Sequence, residues 1–346
     1  MKSYIYNIEQ DELSAWVEAH DYPAFRTKQL NKWLNQGIDD VNQLTNLPKV
    51  MRQQLAEDFT FDGLKITSRL VSQIDDTVKY TMLLADGNIV ESVFMRYRQG
   101  TSVCISSQAG CRMGCRFCAS TGLGFGRHLT AGEMFAQVAL IGRDMGERID
   151  HVTIMGIGEP LEDVPTLLAF LYRVNDPDGL NIGMRRLTVS TCGIIPAIRE
   201  LATANLQITL AVSLHAPNDK IRLQLMPIAK KYKYNDLLAV CREYQNRTGR
   251  RMTYEYALFE GINDADIHAA ELANRLSGHL CHVNLIRANP IANEPFQRSP
   301  MDRVNSFQKI LEQNNIACTV RRELGSDIMA ACGQLRRWEY DGKGSY

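Results

Sequence analysis

The stretch "SVCISSQAGCRMGCRFCAS" (Ser102–Ser120) joins a strand-like run to a glycine-containing loop that carries Cys111, Cys115 and Cys118. Working outward from it, short strand-like runs alternate with helix-length segments to the end of the chain. The runs read as strands are Ser102–Ser106, His151–Met155, Leu187–Thr191, Ile208–Leu214, Thr253–Leu258, His282–Ile286 and Ala317–Arg321. Between them the apolar spacing predicts helices over Ala131–Met145, Val164–Val174, Ile195–Ala204, Asn235–Arg247, Asp264–Leu276 and Met301–Gln313. Such alternation predicts a parallel sheet with crossover helices, open or curled into a barrel, whose function collects at the carboxyl ends of the strands.

Upstream the texture differs. Residues 1–61 read as helical, with Phe25, Leu30, Trp33 and Leu34 expected on one face and "NLPKVMRQQLAEDF" as a second amphipathic stretch. From residue 62 the chain turns β-rich, and Thr77–Leu84 and Ile89–Arg96 flank Asp86-Gly87, a strong hairpin signal. The organisation expected is thus a helical unit (1–61), a β-hairpin extension (62–100) and a core with its C-terminal segment (101–346).

The chain of 346 residues is 45% hydrophobic and 23% charged, with a formal net charge of zero. No apolar run approaches a membrane span and the N-terminus has no apolar signal core, so a cytoplasmic protein without a membrane partner is expected. The neutral balance excludes a global field for nucleic acid. Basic pairs at Arg185-Arg186, Lys230-Lys231, Arg250-Arg251, Arg321-Arg322 and Arg336-Arg337 leave room for a local phosphate-binding face. Nine cysteines in an intracellular chain argue against a disulfide framework, and each scattered one reads first as a small buried apolar residue.

The three loop cysteines are different. Arginines and glycines surround them, and the spacing C-x3-C-x2-C can hold three corners of a cubane iron–sulfur cluster. One iron is then left open to a small molecule, and the amino and carboxylate groups of S-adenosylmethionine (SAM) can chelate it. The rival is zinc held by three thiolates and a histidine such as His128, although no second closely spaced ligand pair follows. Later strand ends favour a ligand: "MGIGEP" supplies Gly158 and Glu159, "TVSTCG" supplies Ser190, and "AVSLH" places Ser213 and His215 on one side of a strand. Glu159 also reads as an ordinary helix-entry carboxylate, and a lone serine or histidine more often satisfies the local backbone.

"CISSQAGCRMGCRFCAST", "GIGEPLED", "STCGIIPAI", "SLHAPND", "LMPI", "HVNLI" followed by "NP", and "SDIMAACGQLR" stand in the order found in the RlmN/Cfr family of radical SAM enzymes, which the chain resembles over essentially its whole length. The resemblance implies a partial (β/α)6 radical SAM barrel with its cluster at an open mouth, preceded by a helical RNA-binding unit. It implies cluster ligation by Cys111, Cys115 and Cys118, and a SAM site lined by Gly158, Glu159, Ser190, Ser213, Leu214, His215 and Asn289. It further implies that Cys332 carries a methyl group from one SAM and that a second SAM yields the radical that activates it. Glu91 then removes a proton and Cys104 attacks the Cys332 sulfur, leaving a transient disulfide. Glu91 shares a strand face with Val93 and Met95, so partial burial raising its pKa is expected of it; the alternative is an edge-strand carboxylate in water. The activity implied is methylation of adenosine C2 in 23S rRNA and in tRNA, by a monomer served by a flavodoxin- or ferredoxin-type electron donor. Pro160 and "SLHAPND" favour this over C8 methylation of the Cfr type, which confers antibiotic resistance. A non-enzymatic iron–sulfur protein that binds RNA or senses redox state is the competing class. Met329 departs from the small or acidic residue often found there, without touching a named role.

Overall fold

The computed structural model describes residues 2–122, 124–289, 296–335 and 338–339. The chain starts with a short strand β1 (Ser3–Tyr4), followed by helices α1 (Gln10–Ala19), α2 (Phe25–Leu34) and α3 (Lys49–Asp58), and returns through β2 (Phe59–Thr60), which pairs parallel with β1. Glu12 closes the start of α1 by accepting the Glu9 amide at 3.1 Å. On α2, Thr27, Leu30 and Leu34 point inward, whereas Phe25 is 55% exposed. Phe25 and Leu34 are nine residues apart, half a turn out of phase at 100° per residue, so the expectation that they share a face is corrected.

The sheet begins with β3 (Leu64–Val71), β4 (Val78–Leu84), β5 (Asn88–Tyr97) and β6 (Gly100–Ile105), all antiparallel neighbours. Asp86-Gly87 makes the expected turn, with Gly87 at φ 83°. After β6, the ribbon of β7 (Gln108–Gly110) and β8 (Phe125–His128) brackets the cysteine loop. Six strand–helix units then follow in register. They are β6 with α4 (Ala131–Met145), β9 (His151–Ile154) with α5 (Val164–Asn175), and β10 (Leu187–Thr191) with α6 (Ile195–Thr203). Next come β11 (Thr209–Ser213) with α7 (Asp219–Leu225) and α8 (Tyr234–Thr248), β12 (Met252–Leu258) with α9 (Asp266–Leu276), and β13 (Cys281–Arg287) with α10 (Met301–Gln313). A short β14 (Cys318–Val320) ends the series, and β15 (Trp338–Glu339) pairs with the start of β5. Spatial order runs β14-β13-β12-β11-β10-β9-β6-β5-β4-β3, parallel from β14 to β6 and antiparallel beyond, and the path does not close on itself. This is the open, partial barrel that the alternation and the resemblance led us to expect.

One continuous hydrophobic cluster joins the N-terminal helices to the sheet and its helices. Tyr6 is the joint: its hydroxyl donates to Leu34 O (2.9 Å) and Ile38 O (3.0 Å), and its ring lies 5.9 Å from that of Phe135 on α4. At Gly132 a Cβ would run into the Tyr6 carbonyl, so the close approach of this segment to α4 requires glycine. No helix among the described residues is long and apolar enough to cross a membrane.

Candidate active site

The carboxyl ends of the parallel strands surround a cavity of ≈ 150 Å³, bordered on one side by Cys111, Cys115 and Cys118. The loop bearing them is tied down at several points. Cys118 N donates to Cys115 O (3.1 Å), Arg116 N to Leu225 O (3.0 Å), and Ala119 N to Gly333 O (2.8 Å). Burial, ahead of every other cause, holds all three thiols above their ordinary range, Cys111 at about 12; Cys118 further raises Cys111 and Cys115, and Cys111 raises Cys115. They become thiolates readily only when a strongly positive centre takes them as ligands.

His128, the candidate fourth ligand of a zinc site, is occupied elsewhere: its Nδ1 meets Gln108 Nε2 at 3.1 Å and its ring packs on Phe125. Among the described residues no group of three or more Cys, His, Asp or Glu side chains is arranged to hold a single metal ion. Three soft donors spread around a cavity suit a larger body, an iron–sulfur cluster. Behind the loop lies Arg222, fully buried, with Nε and Nη1 lacking partners and Nη2 donating to Cys192 O (2.6 Å) and Ser213 O (3.3 Å). Its charge reaches Cys115, so a fixed cation with unused donors stands where three thiolates would accumulate negative charge. The residues present fit the cluster.

The opposite wall assembles the strand-end groups. Gly158, Glu159, Ser190, Ser213, His215 and Asn289 all border the cavity. Leu214 does not; it lies just past the end of β11 and is wholly buried in the core, so its side chain is corrected out of the wall, while His215, at φ 55°, turns back to the cavity. Gly158 has φ 114°, and a Cβ there would sit 2.6 Å from Gln108 Cβ, so this glycine serves the close approach of two protein segments. Glu159 accepts Leu161 N (3.0 Å) and Cys192 N (2.6 Å), and the Thr191 and Cys192 side chains also bond to it, which is the structural reading of that residue; it nonetheless borders the cavity. Burial, the largest influence on it, raises its pKa. His215 Nδ1 accepts the Ala257 amide at 2.9 Å, which assigns the proton to Nε2. Burial and then the Arg222 charge hold this imidazole down at about 3, so it stays neutral.

Cys332 borders this cavity and also a second, smaller one of ≈ 50 Å³, whose wall includes Cys104, Tyr97, Arg321 and Arg322. Two cysteines far apart in sequence thus face one space. The Cys332 carbonyl accepts Asn289 Nδ2 at 3.0 Å, and Ser120 Oγ donates to Leu335 O at 2.8 Å. Burial first, then Cys332, pushes the Cys104 thiol up to about 11. Arg321 is ion-paired to Glu255 at 3.4 Å, and Cys332 is the foremost influence strengthening its hold on its proton. Arg321 and Arg322 thus border the second cavity, while Arg336 and Arg337 lie outside the described residues. Glu91 is 2% exposed, which overturns the reading as a carboxylate in water, and its partner is Lys79 on β4 at 3.2 Å. Val93 and Met95, on its strand face, border the second cavity; Glu91 itself does not.

Sequence reasoning missed Lys79, Arg222 and Glu255. Each is a charge inside an apolar run ("TVKYTML", "KIRLQL", "MTYEYAL"), and that anomaly was the available signal.

Residues 105–273 match the family model described as "Radical SAM superfamily", and residues 4–60 match "Ribosomal RNA large subunit methyltransferase N-terminal domain". A protein of Alkaliphilus metalliredigens named "Probable dual-specificity RNA methyltransferase RlmN" is 50% identical over 90% of this chain and 89% of its own length. One of the same name from Clostridium tetani is 47% identical over 96% of this chain and 95% of its own. The crystal structure of a radical SAM methyltransferase from Sphaerobacter thermophilus superposes with a TM-score of 0.93 at 41% identity, covering 96% of this chain and 99% of that one.

Proposed function

Because the chain belongs to the RlmN family of radical SAM RNA methyltransferases, we propose that it methylates C2 of an adenosine in 23S rRNA and in tRNA through Cys332, Glu91 and Cys104. The observation that carries the reading is the meeting of Cys104 and Cys332 at one small cavity beside the one bordered by the three loop cysteines. Cys111, Cys115 and Cys118 would hold the cluster, which when bound together with SAM would supply the one-electron reduction that sulfonium cleavage needs.

The chain's own groups supply the rest. His215 presents a neutral imidazole whose Nε2–H is free to donate into the first cavity, and Glu159, Ser190, Ser213 and Asn289 offer polar groups there for SAM's amino acid and ribose. Adenine C2 is electron-poor, so a methyl group reaches it by way of the Cys332 sulfur. Glu91 takes the C2 proton. The Cys104 thiolate attacks the Cys332 sulfur, forming the S–S bond as the C–S bond breaks; the C–S electron pair leaves with the bridging carbon, which takes up a proton to become the methyl group. Arg321, beside both thiols, favours sulfur in its anionic form. Residues 1–61 and the arginines bordering the second cavity hold the RNA, residues 62–100 carry Glu91 on the hairpin, and residues 101–346 carry the cofactors; a flavodoxin- or ferredoxin-type donor delivers electrons to a monomer.

The test is anaerobic reconstitution with iron and sulfide, followed by assay of 5′-deoxyadenosine and mass spectrometry of nucleosides from the treated RNA. 2-Methyladenosine is expected; 8-methyladenosine, or no SAM cleavage at all, would refute the reading. Cys104→Ala is expected to accumulate a protein–RNA adduct on a denaturing gel, and Cys332→Ala none.

A further inference from the structure

Lys79 and Glu91 form an ion pair with Nζ and Oε1 3.2 Å apart, in which the lysine is 8% exposed and the glutamate 2%. Removing two opposite charges from water costs several kcal/mol per ion before their attraction is counted, and apolar residues of the same volume serve stability at least as well. A pair placed at such a cost calls for a role beyond holding the sheet together. Its position suggests one. Lys79 stands opposite Val93, and Val93 opposite Cys104, so the three lie in one row across β4, β5 and β6. Glu91 occupies the next row on the same face, opposite Thr81, and Ser106 Oγ donates to its carbonyl at 2.6 Å. Thus Glu91 stands two residues along its strand from Val93, the cross-strand neighbour of Cys104, and the ammonium bound to its carboxylate comes from the row that holds that thiol.

We propose that Lys79 is a positioning residue for Glu91, holding it as an oriented carboxylate that receives the adenine C2 proton; this rests on the reading of Glu91 given above. In the step concerned the C2–H bond breaks, its electron pair stays with the ring carbon, and the proton goes to a Glu91 oxygen. Glu91 is then a neutral acid beside an ammonium. Such a neighbour favours the charged form of the carboxyl, so the acid passes its proton on and the base is restored. Removing Lys79 would take away the cation that favours the charged, proton-accepting form of a carboxyl.

The experiment is single-turnover methylation by the reconstituted protein, using target RNA with hydrogen or deuterium at C2. Lys79→Met is expected to slow product formation by roughly tenfold or more and to raise the deuterium isotope effect, because proton removal becomes limiting. Lys79→Arg, which restores the cation, is expected to return the parental isotope effect and most of the rate. A merely structural lysine would slow turnover without changing the isotope effect, and that result overturns the inference. So does a Lys79→Met protein with parental rate and isotope effect while Glu91→Gln is inactive. Parental turnover by Glu91→Gln would instead remove the underlying reading of Glu91 as the base, and the inference with it. If Lys79→Met does not fold, as judged by its thermal midpoint, Lys79→Gln makes the same comparison.

Discussion

The release step should depend steeply on pH, and Cys104 is the reason. Its thiol is pushed up to about 11, first by burial and then by Cys332, with Thr153, Met155 and the Arg321 charge pulling the other way. The thiolate is the attacking form, and with a thiol near 11 only ~3 in 10,000 molecules carry it at pH 7.5. Once Cys332 is tied up as a thioether its opposing charge is gone, so Cys104 in the adduct titrates below 11, while burial still holds it above neutral. Release should therefore accelerate as pH rises from about 7 to 9, by up to roughly tenfold per unit. The assay accumulates the protein–RNA adduct anaerobically at low pH, jumps the pH, quenches with acid and follows loss of the slow band on a denaturing gel. Arg321→Met, which removes the cation, should slow release throughout that range. Equal release rates at pH 7 and pH 9 would refute the reasoning, as would faster release in Arg321→Met.

Two further outcomes follow from particular contacts. Asp327 accepts Ser72 Oγ and Gln73 N, both at 2.7 Å, fastening the segment before Cys332 to the β3–β4 turn; Asp327→Asn should weaken that attachment, read as faster proteolysis between residues 325 and 335. His215, buried neutral and held at about 3, takes up its proton in the unfolded chain near 6.5 but not in the folded one. Its contribution to stability is therefore intact above about pH 6.5 and declines by roughly 1.4 kcal/mol per unit as pH falls toward 3, and denaturant titrations of parent and His215→Gln should differ in that slope.

Much of the fold was legible because the chain punctuates itself. Thr130 and Glu133 close the start of α4, Gly146 ends it at φ 65°, and the expected Ala131–Met145 is the observed helix. Leu187–Thr191 and Met301–Gln313 likewise coincide with β10 and α10. The strand β3 escaped notice: beyond Leu64 its residues are only partly buried or exposed, so it lacks the alternation that marks a half-buried strand. In the site, the cysteines and strand-end polar groups were visible because each lies in a short local motif. Lys79, Glu255 and Arg222 were not, because their partners come from other elements: Glu91 on β5, Asn284 on β13 for Glu255, and the Cys192 carbonyl after β10 for Arg222. Pairings of that kind are set by tertiary packing, which no local window contains.

The placement of Cys332 bears on how one sulfur serves two steps. A loop swinging between SAM and Cys104 would need a free segment, yet this one is fastened on both sides. Before Cys332, Asp75 accepts Gly325 N at 3.1 Å and Asp327 grips the β3–β4 turn; at and after it, Asn289 holds the Cys332 carbonyl and Ala119 the Gly333 carbonyl. Cys332 nonetheless borders both cavities, and it raises the thiol of Cys104 on one side and that of Cys118, the proposed cluster ligand, on the other. Rotation about its Cα–Cβ bond, among wells that exposed side chains cross in nanoseconds or less, is then sufficient to present the sulfur to either space. Mild oxidation of the cluster-loaded protein, in which Cys118 is occupied as a ligand, should accordingly produce a Cys104–Cys332 disulfide, identified by peptide mapping. It should form without RNA. Gly333 holds φ 83° and an added Cβ there would meet the Phe117 carbonyl at 3.3 Å, so Gly333→Ala, which strains this segment and shifts it, should slow that disulfide. Disulfide formation that requires RNA would mean that the backbone and not the side chain makes the move.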